Sequence, residues 1–387
     1  MLEVQKLYHK FFSEDDYGDS LSKLDLFRNE LTVLGIDQRE YPEHNMFLLD
    51  YNQIDAIKNH PVVNECRGLL MGYDGQIIRK GFTRFYNLGE NGIDQFDFEH
   101  SIAFEKADGS LMFVYFCTPT DRWEIGTRGT AFAEGPNEWH GTFRGFMLNA
   151  MGRTEEQFQH DCGFLDRRNT YLFEAVGPDN RIVTPYTTNH LIELSNINNV
   201  TGKETFIEIL GFTGQYISFF KLNFGWNVRP IKHYSFNTQA DCMIALEALT
   251  GLEEGYVVYN TQTKMRVKIK NATYLAAHRL RSGGLTLNSI CELVVMNEQD
   301  EYLAVFPEDT PKFFNAHQEF GLMLEELKLV YDANKMIETQ KDFALSIGHV
   351  KLSGCMFQAR KKGTDPIHEF NQLPVGKRAD YLKERLV

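Results

Sequence analysis

From about Met46 to Ala272 the chain is written in short β-type runs broken by turn residues, and after Arg281 apolar residues recur at helical spacing. That switch of period dictates an α+β body followed by a smaller helical one, with 1–280 and 281–387 as the expected domains. In RGLLMGYDGQIIRKGF an Asp74-Gly75 turn separates two apolar runs, the signal of a hairpin. SLMFVYF ends at Thr118-Pro119, and WEIGTRGT, NTYLFEAV and HLIELSNI are further β-type runs. Within this half EGPNEWHGTFRGFMLNAMG is the best helical stretch. In the second half EDTPKFFNAHQEFGLMLEELKLVYDANKMIETQKDFALSIG is expected to be helical, with Thr310 as N-cap, Pro311 in the first turn and Gly321 as a tolerated weak point.

Composition narrows the class. With 43% hydrophobic and 24% charged residues, the chain can bury a core of ordinary size. The N-terminus turns acidic before any long apolar run, so no signal peptide is expected, and no stretch approaches the roughly 20 apolar residues that span a bilayer. Cysteines at 66, 117, 162, 242, 291 and 355 form no C-x-x-C pair, which implies reduced thiols in a cytoplasm rather than a disulfide or zinc scaffold. A net charge of −13 argues against non-specific coating of nucleic acid. Locally the balance reverses: from residue 351, Lys351, Arg360, Lys361, Lys362, Lys377, Arg378, Lys383 and Arg385 outnumber Asp365, Glu369, Asp380 and Glu384. Such a tail is either a solvated helix face or a phosphate-binding one.

The chemistry concentrates in Lys106-Ala107-Asp108-Gly109-Ser110, a turn between the runs SIAFE and SLMFVYF. A lysine attacks phosphorus only as the free amine, and its reference pKa of about 10.4 leaves little amine at neutral pH. Other cations or burial must therefore converge on it. Met265-Arg266-Val267-Lys268-Ile269-Lys270 alternates strictly, so Arg266, Lys268 and Lys270 share one strand face while Met265, Val267 and Ile269 share the other. An edge strand protected by lysines has the same pattern. Glu174 lies inside the apolar run YLFEAV and Glu254 just before YVVYN; each either points to solvent or faces a cleft that holds a ribose or a hydrated Mg²⁺. Arg67, before a strand, suits a planar clamp on phosphate or ribose, or a structural ion pair.

Taken in order, Lys106-x-Asp108-Gly109, Glu174, Glu254 and Lys268-x-Lys270 resemble the motif series of covalent nucleotidyltransferases. The resemblance is closest to the RNA ligase 1 family of T-even-type bacteriophages. It is carried by E-C-R-G (Glu65–Gly68), Arg84 before F-x-N-L, K-x-D-G-S, F-E-x-V-x-P-x-N-R-I-V (Phe173–Val183), E-G-Y-V (Glu254–Val257), K-I-K, and a Tyr-x-x-x-His from Tyr274 to His278. The resemblance implies a nucleotidyltransferase domain of ATP-grasp-like antiparallel sheets, then an all-α domain that selects RNA. It implies Lys106 as the nucleophile, an ATP site of Tyr51, Arg67, Arg84, Lys106, Asp108, Glu174, Leu194, Lys268 and Lys270, and Glu254 for Mg²⁺. Arg84 stands where the family commonly has Lys. The implied activity is ATP-dependent joining of RNA 3′-hydroxyl and 5′-phosphate ends, cleaved tRNA among them, often beside a polynucleotide kinase and phosphatase. If the chain is phage-encoded, the compartment is the cytoplasm of an infected bacterium. A DNA ligase or capping enzyme is the nearest alternative, disfavoured by Leu111 two residues past the motif glycine and by the helical C-terminal segment. A non-catalytic RNA-binding scaffold is a further one, which the retained lysines oppose.

Overall fold

Alternating side chains sort the β-type runs into three main sheets. The structure, a computed structural model, describes all residues except 14–19, 53, 54, 91, 92, 94, 95, 207, 208, 211–215, 250 and 276–284. The chain divides into two units, Met1–Leu275 and Ala276–Val387. The expected boundary at 280/281 and His278 of the Tyr-x-x-x-His string lie outside the described residues.

In the first unit Ile36–Tyr41, Met46–Tyr51, Arg67–Gly72 and Ile77–Arg79 form an antiparallel sheet in chain order. The hairpin at Asp74-Gly75 is present, and Gly75 takes the φ of 81° that its turn requires. Two helices ahead of it, Glu3–Ser13 and Ser20–Val33, bury Val4, Tyr8, Phe27 and Leu31 against Phe47, Leu49, Leu69 and Met71.

The second sheet runs Glu204–Thr205, His190–Asn198, Asn169–Val176, Ser110–Cys117, Arg122–Thr127, all antiparallel, with Val228–Pro230 added parallel to His190–Asn198. The period of two in SLMFVYF sends Met112, Val114 and Phe116 to a core with Phe146, Met147 and Phe158. Phe113, Tyr115 and Cys117 pack oppositely, with Leu48, Leu70 and Ile78 of the first sheet. Only part of the expected helical stretch is helix: Phe143–Met151, capped by Thr142 Oγ1 (Gly145 N at 3.1 Å) and by Gly152 at φ 72°. Its first half instead pairs Pro136–Asn137 with Gly141–Thr142 as a short ribbon.

The third sheet is ordered His233–Tyr234, Ser101–Glu105, Gly255–Asn260, Arg266–Lys270, Tyr86–Asn87. Ala103, Val258, Val267 and Ile269 fill its apolar side with Cys242 and Leu246 of helix Gln239–Glu247. Met265 departs from the expected alternation: it precedes the strand and is 49% exposed.

The second unit is helical, its core built from Met323, Leu327, Phe343, Ile347, Met356 and Phe370. The helix Thr310–Asn334 passes through Gly321 without a break. Thr310 is its first residue rather than its N-cap, because the preceding Pro307–Asp309 turn already takes up the Thr310 hydroxyl on the Pro307 carbonyl at 2.7 Å. The α+β class, with antiparallel sheets followed by helices, is as expected. All six cysteines are free and buried, and no helix among the described residues is long and apolar enough to cross a membrane.

Candidate active site

Lys106 to Gly109 connect the strand Ser101–Glu105 of the third sheet to Ser110–Cys117 of the second, so Lys106 stands where the two sheets join. Its backbone N–H donates to the Gly255 carbonyl at 2.8 Å. Asp108 is buried and locks the turn: one carboxylate oxygen accepts the Val183 and Thr184 N–H groups at 2.8 and 2.7 Å, the other the Tyr274 hydroxyl at 2.7 Å. Gly109 passes so near the next strand that a Cβ would sit 2.5 Å from the Ala175 carbonyl. Asn180 completes the wrap, donating to Ser110 Oγ and to the Ala175 carbonyl, each at 3.0 Å. The Phe173–Val183 string is therefore the clasp that holds the lysine turn.

A cleft of about 360 Å³ opens beside this turn, walled by Arg67, Lys106, Glu174, Leu194, Lys268 and Lys270, together with Phe85, Glu105, Arg128 and Arg266. Glu254 bridges two of the lysines: Oε2 accepts from Lys106 Nζ at 2.6 Å, and Oε1 lies 3.0 Å from Lys270 Nζ. Arg67, Lys268 and Lys270 share the wall with Lys106, whose own ion-pair partner is the Glu254 carboxylate. Burial first, then the charges of Lys106, Arg67 and Lys270, lower Lys268 to about 8. Glu174 is pushed up to about 7, chiefly by burial; Lys106 opposes the rise, Glu254 adds to it and Arg67 opposes it. Its Oε1 accepts from the Gly109 N–H at 3.2 Å.

Arg266 shares the face of Lys268 and Lys270 but is held by Glu204 at 2.5 Å and by the rings of Tyr259 and Phe82. Of the residues expected at an ATP site, Asp108, Tyr51 and Arg84 do not line the cleft. Asp108 acts from behind, through the turn. Tyr51 lies against the guanidinium carbons of Arg84 (4.1 Å) and Arg128 (4.6 Å). Arg67 and Arg84 each keep a buried Nη1 without a hydrogen-bond partner among the described residues.

Two charged wall residues were not singled out from the sequence. Arg128, paired with Asp50 at 2.9 Å, follows the strand Arg122–Thr127, and its only signal was a turn-like G-T-R-G-T. Glu105, bound to Arg229 and to the Lys232 N–H, gave no signal beyond standing next to Lys106.

A sequence model of the family described as RNA ligase matches residues 65–274, from the E-C-R-G string to Tyr274. This chain belongs to that family. A relative named as a bifunctional polynucleotide kinase/RNA ligase, from Autographa californica nuclear polyhedrosis virus, is 32% identical over 284 residues. That alignment takes in 70% of this chain but 38% of the viral protein, so the chain spans well under half of that relative. Among solved structures, an archaeal ATP-dependent RNA ligase is similar at 13% identity and a TM-score of 0.42, over 88% of this chain and 81% of its own. A Naegleria gruberi RNA ligase with ATP and Mn aligns at 15% identity and a TM-score of 0.32, over 47% of this chain and 52% of its own. Family membership rests on the sequence matches.

Proposed function

We propose that this chain is an ATP-dependent RNA ligase that works through an adenylate on Lys106. The observation that carries the reading is the bridge from buried Glu254 to Lys106 and Lys270, two lysines in the wall of a cleft that Glu174 and Lys268 also line. Lys106 Nζ, released from Glu254 and deprotonated, attacks the α-phosphorus of ATP. The N–P bond forms, the bond to the bridging oxygen breaks, and pyrophosphate leaves. An oxygen of an RNA 5′-phosphate then displaces lysine from the same phosphorus, and the amine regains its proton. A 3′-hydroxyl finally attacks the RNA 5′-phosphorus and expels AMP.

Lys268 and Lys270 stabilise charge that develops on the phosphoryl oxygens, the largest single contribution such a site can make. Arg67 and Arg128, in the wall of the cleft, meet the polyphosphate, while Arg84 is stacked on Tyr51 outside that wall; the buried Nη1 of Arg67, without a hydrogen-bond partner among the described residues, suits an anion. Leu194 packs on the adenine, Glu174 holds the ribose, and Tyr51 orients Arg84 and Arg128. No group of three or more potential ligands exists among the described residues. Mg²⁺, commonly held by one or two carboxylates and substrate phosphates, would be held here by Glu254. When bound it neutralises charge on the phosphates.

RNA ends are the substrate in this reading, broken tRNA among them. The fused kinase of the viral relative supports a pairing with polynucleotide kinase, and the reduced cysteines suit a cytoplasm. The helical unit selects the RNA. The test is Lys106→Ala: it should lose joining of 5′-phosphorylated RNA by 10³-fold or more, on the order of a lost nucleophile. It should keep part of the sealing of RNA that already carries a 5′-adenylate. Ordinary ligation by the variant would end the proposal.

A further inference from the structure

Arg79 ends the strand Ile77–Arg79 wholly buried, its guanidinium carbon 4.4 and 5.3 Å from the ring centres of Phe113 and Tyr115. Among the described residues its hydrogen bonds go to backbone alone, with no carboxylate partner: Nε and Nη2 to the Gly68 carbonyl at 3.2 and 2.9 Å, Nη1 to the Thr130 carbonyl at 3.0 Å. A buried cation without a carboxylate partner is costly, and an aliphatic side chain would fill the same space. Packing alone does not account for it.

The two carbonyls do. Gly68 directly follows Arg67, and Thr130 lies two residues beyond Arg128; both arginines stand in the wall of the cleft. They come from different sheets, Arg67 opening one strand and Arg128 following another. The two backbones approach so closely that a Cβ on Gly68 would lie 2.9 Å from the Arg128 carbonyl. Gly126 leaves room both for the fork and for the backbone it holds, since a Cβ there would fall 2.0 Å from Arg79 Nη1 and 2.6 Å from the Ala131 carbonyl. The segment after Arg128 has other anchors: Tyr115 Oη donates to the Ala131 carbonyl at 2.8 Å, and the Ala131 N–H donates to Tyr41 Oη at 2.9 Å. Holding the fold together and setting the distance between the two arginines are thus separable tasks.

We propose that Arg79 is a positioning residue that fixes the spacing of Arg67 and Arg128, and through them the polyphosphate end of the nucleotide site. This rests on the reading above, in which those arginines meet the phosphates of ATP. Only a planar fork reaches both carbonyls at once; a lysine in its place reaches one. Displacing catalytic groups by about 1 Å commonly costs up to 10²-fold in rate.

The test compares self-adenylation against ATP concentration, with Mg²⁺, in full-length Arg79→Met, Arg79→Lys and Gly126→Ala, at a temperature where circular dichroism shows each to be folded. KM for ATP should rise by about tenfold or more in all three. Sealing of pre-adenylated RNA, which needs no polyphosphate held, should change far less. Wild-type KM in a folded Arg79→Met, or full rescue by Arg79→Lys, overturns the proposal. If the methionine variant does not fold, Arg79→Lys, which keeps the charge but reaches one carbonyl, decides the question in the same way. Self-adenylation that survives Lys106→Ala would retire the functional reading itself, whatever the Arg79 variants do.

Discussion

Glu174 is held at about 7 against an ordinary glutamate value of 4.5, chiefly because it is buried. Below 4.5 the group is protonated whether the chain is folded or not. Between 4.5 and about 7 the unfolded chain has released the proton while the fold retains it, so stability falls as pH rises and stays lowered above 7. Glu174→Gln should therefore raise the melting temperature of the ligand-free protein at pH 8, with the gain shrinking to nothing near pH 4, while ligation falls. A gain independent of pH would mean that the carboxyl ionises normally. Lys268 carries the converse signature. Lowered to about 8 by burial and by Lys106, Arg67 and Lys270, it should be recharged by a polyphosphate. Calorimetry near pH 8 in buffers of different ionisation enthalpy should then find proton uptake on ATP binding, absent in Lys268→Met. At this scale the sequence spoke through types and periods: a lysine in a tight turn, and two more on one strand face. It was silent on Glu254 as a bridge, because its lysine partner at 106 lies 148 residues away and only the fold brings them together.

The turn that carries Lys106 depends on a second element, the Phe173–Val183 clasp, and the dependence is steric. Gly109→Ala would set a methyl group 2.5 Å from the Ala175 carbonyl, with the Val176 side chain also within 2.7 Å. The expected result is a loss of self-adenylation far larger than the loss of ATP binding, together with a lower melting temperature; unchanged adenylation kinetics would show that the turn tolerates a shift. The same packing explains why the string around Glu174 was so legible. Its residues are fixed by hydrogen bonds to Asp108 and Ser110 rather than by propensity. Elements without such constraints were harder to read. The N-terminal helix Glu3–Ser13 buries Val4, Tyr8 and Phe11 at helical spacing, but three positions in so short a segment give a weak periodic signal. EGPNEWHGT reads as the start of a helix, yet Gly135, Pro136 and Gly141 favour the ribbon that forms.

Across the whole molecule, the basic surplus of the C-terminal segment divides into residues that are spoken for and residues that are not. Lys362 is paired with the buried Glu369 at 2.7 Å, Arg378 donates to the Val295 carbonyl at 3.0 Å, and Arg385 pairs with Glu319 and Glu326. Lys361 and Lys377 are exposed, and no ion pair among the described residues engages them. If the helical unit selects RNA, the double variant Lys361→Glu/Lys377→Glu should weaken binding of a structured RNA and reduce the slope of log affinity against log salt by about 2, one per phosphate contact. Self-adenylation should be unaffected. Equal affinities and slopes would return this surface to plain solvation. The central claim concerns the first unit, and the intact mass of the full chain after incubation with ATP and Mg²⁺ tests it most directly. The account predicts a gain of one adenylate, mapped to Lys106 by peptide sequencing and lost on adding 5′-phosphorylated RNA. An adenylate on another residue, or ligation that proceeds with no covalent adduct in a Lys106→Ala protein, would contradict it.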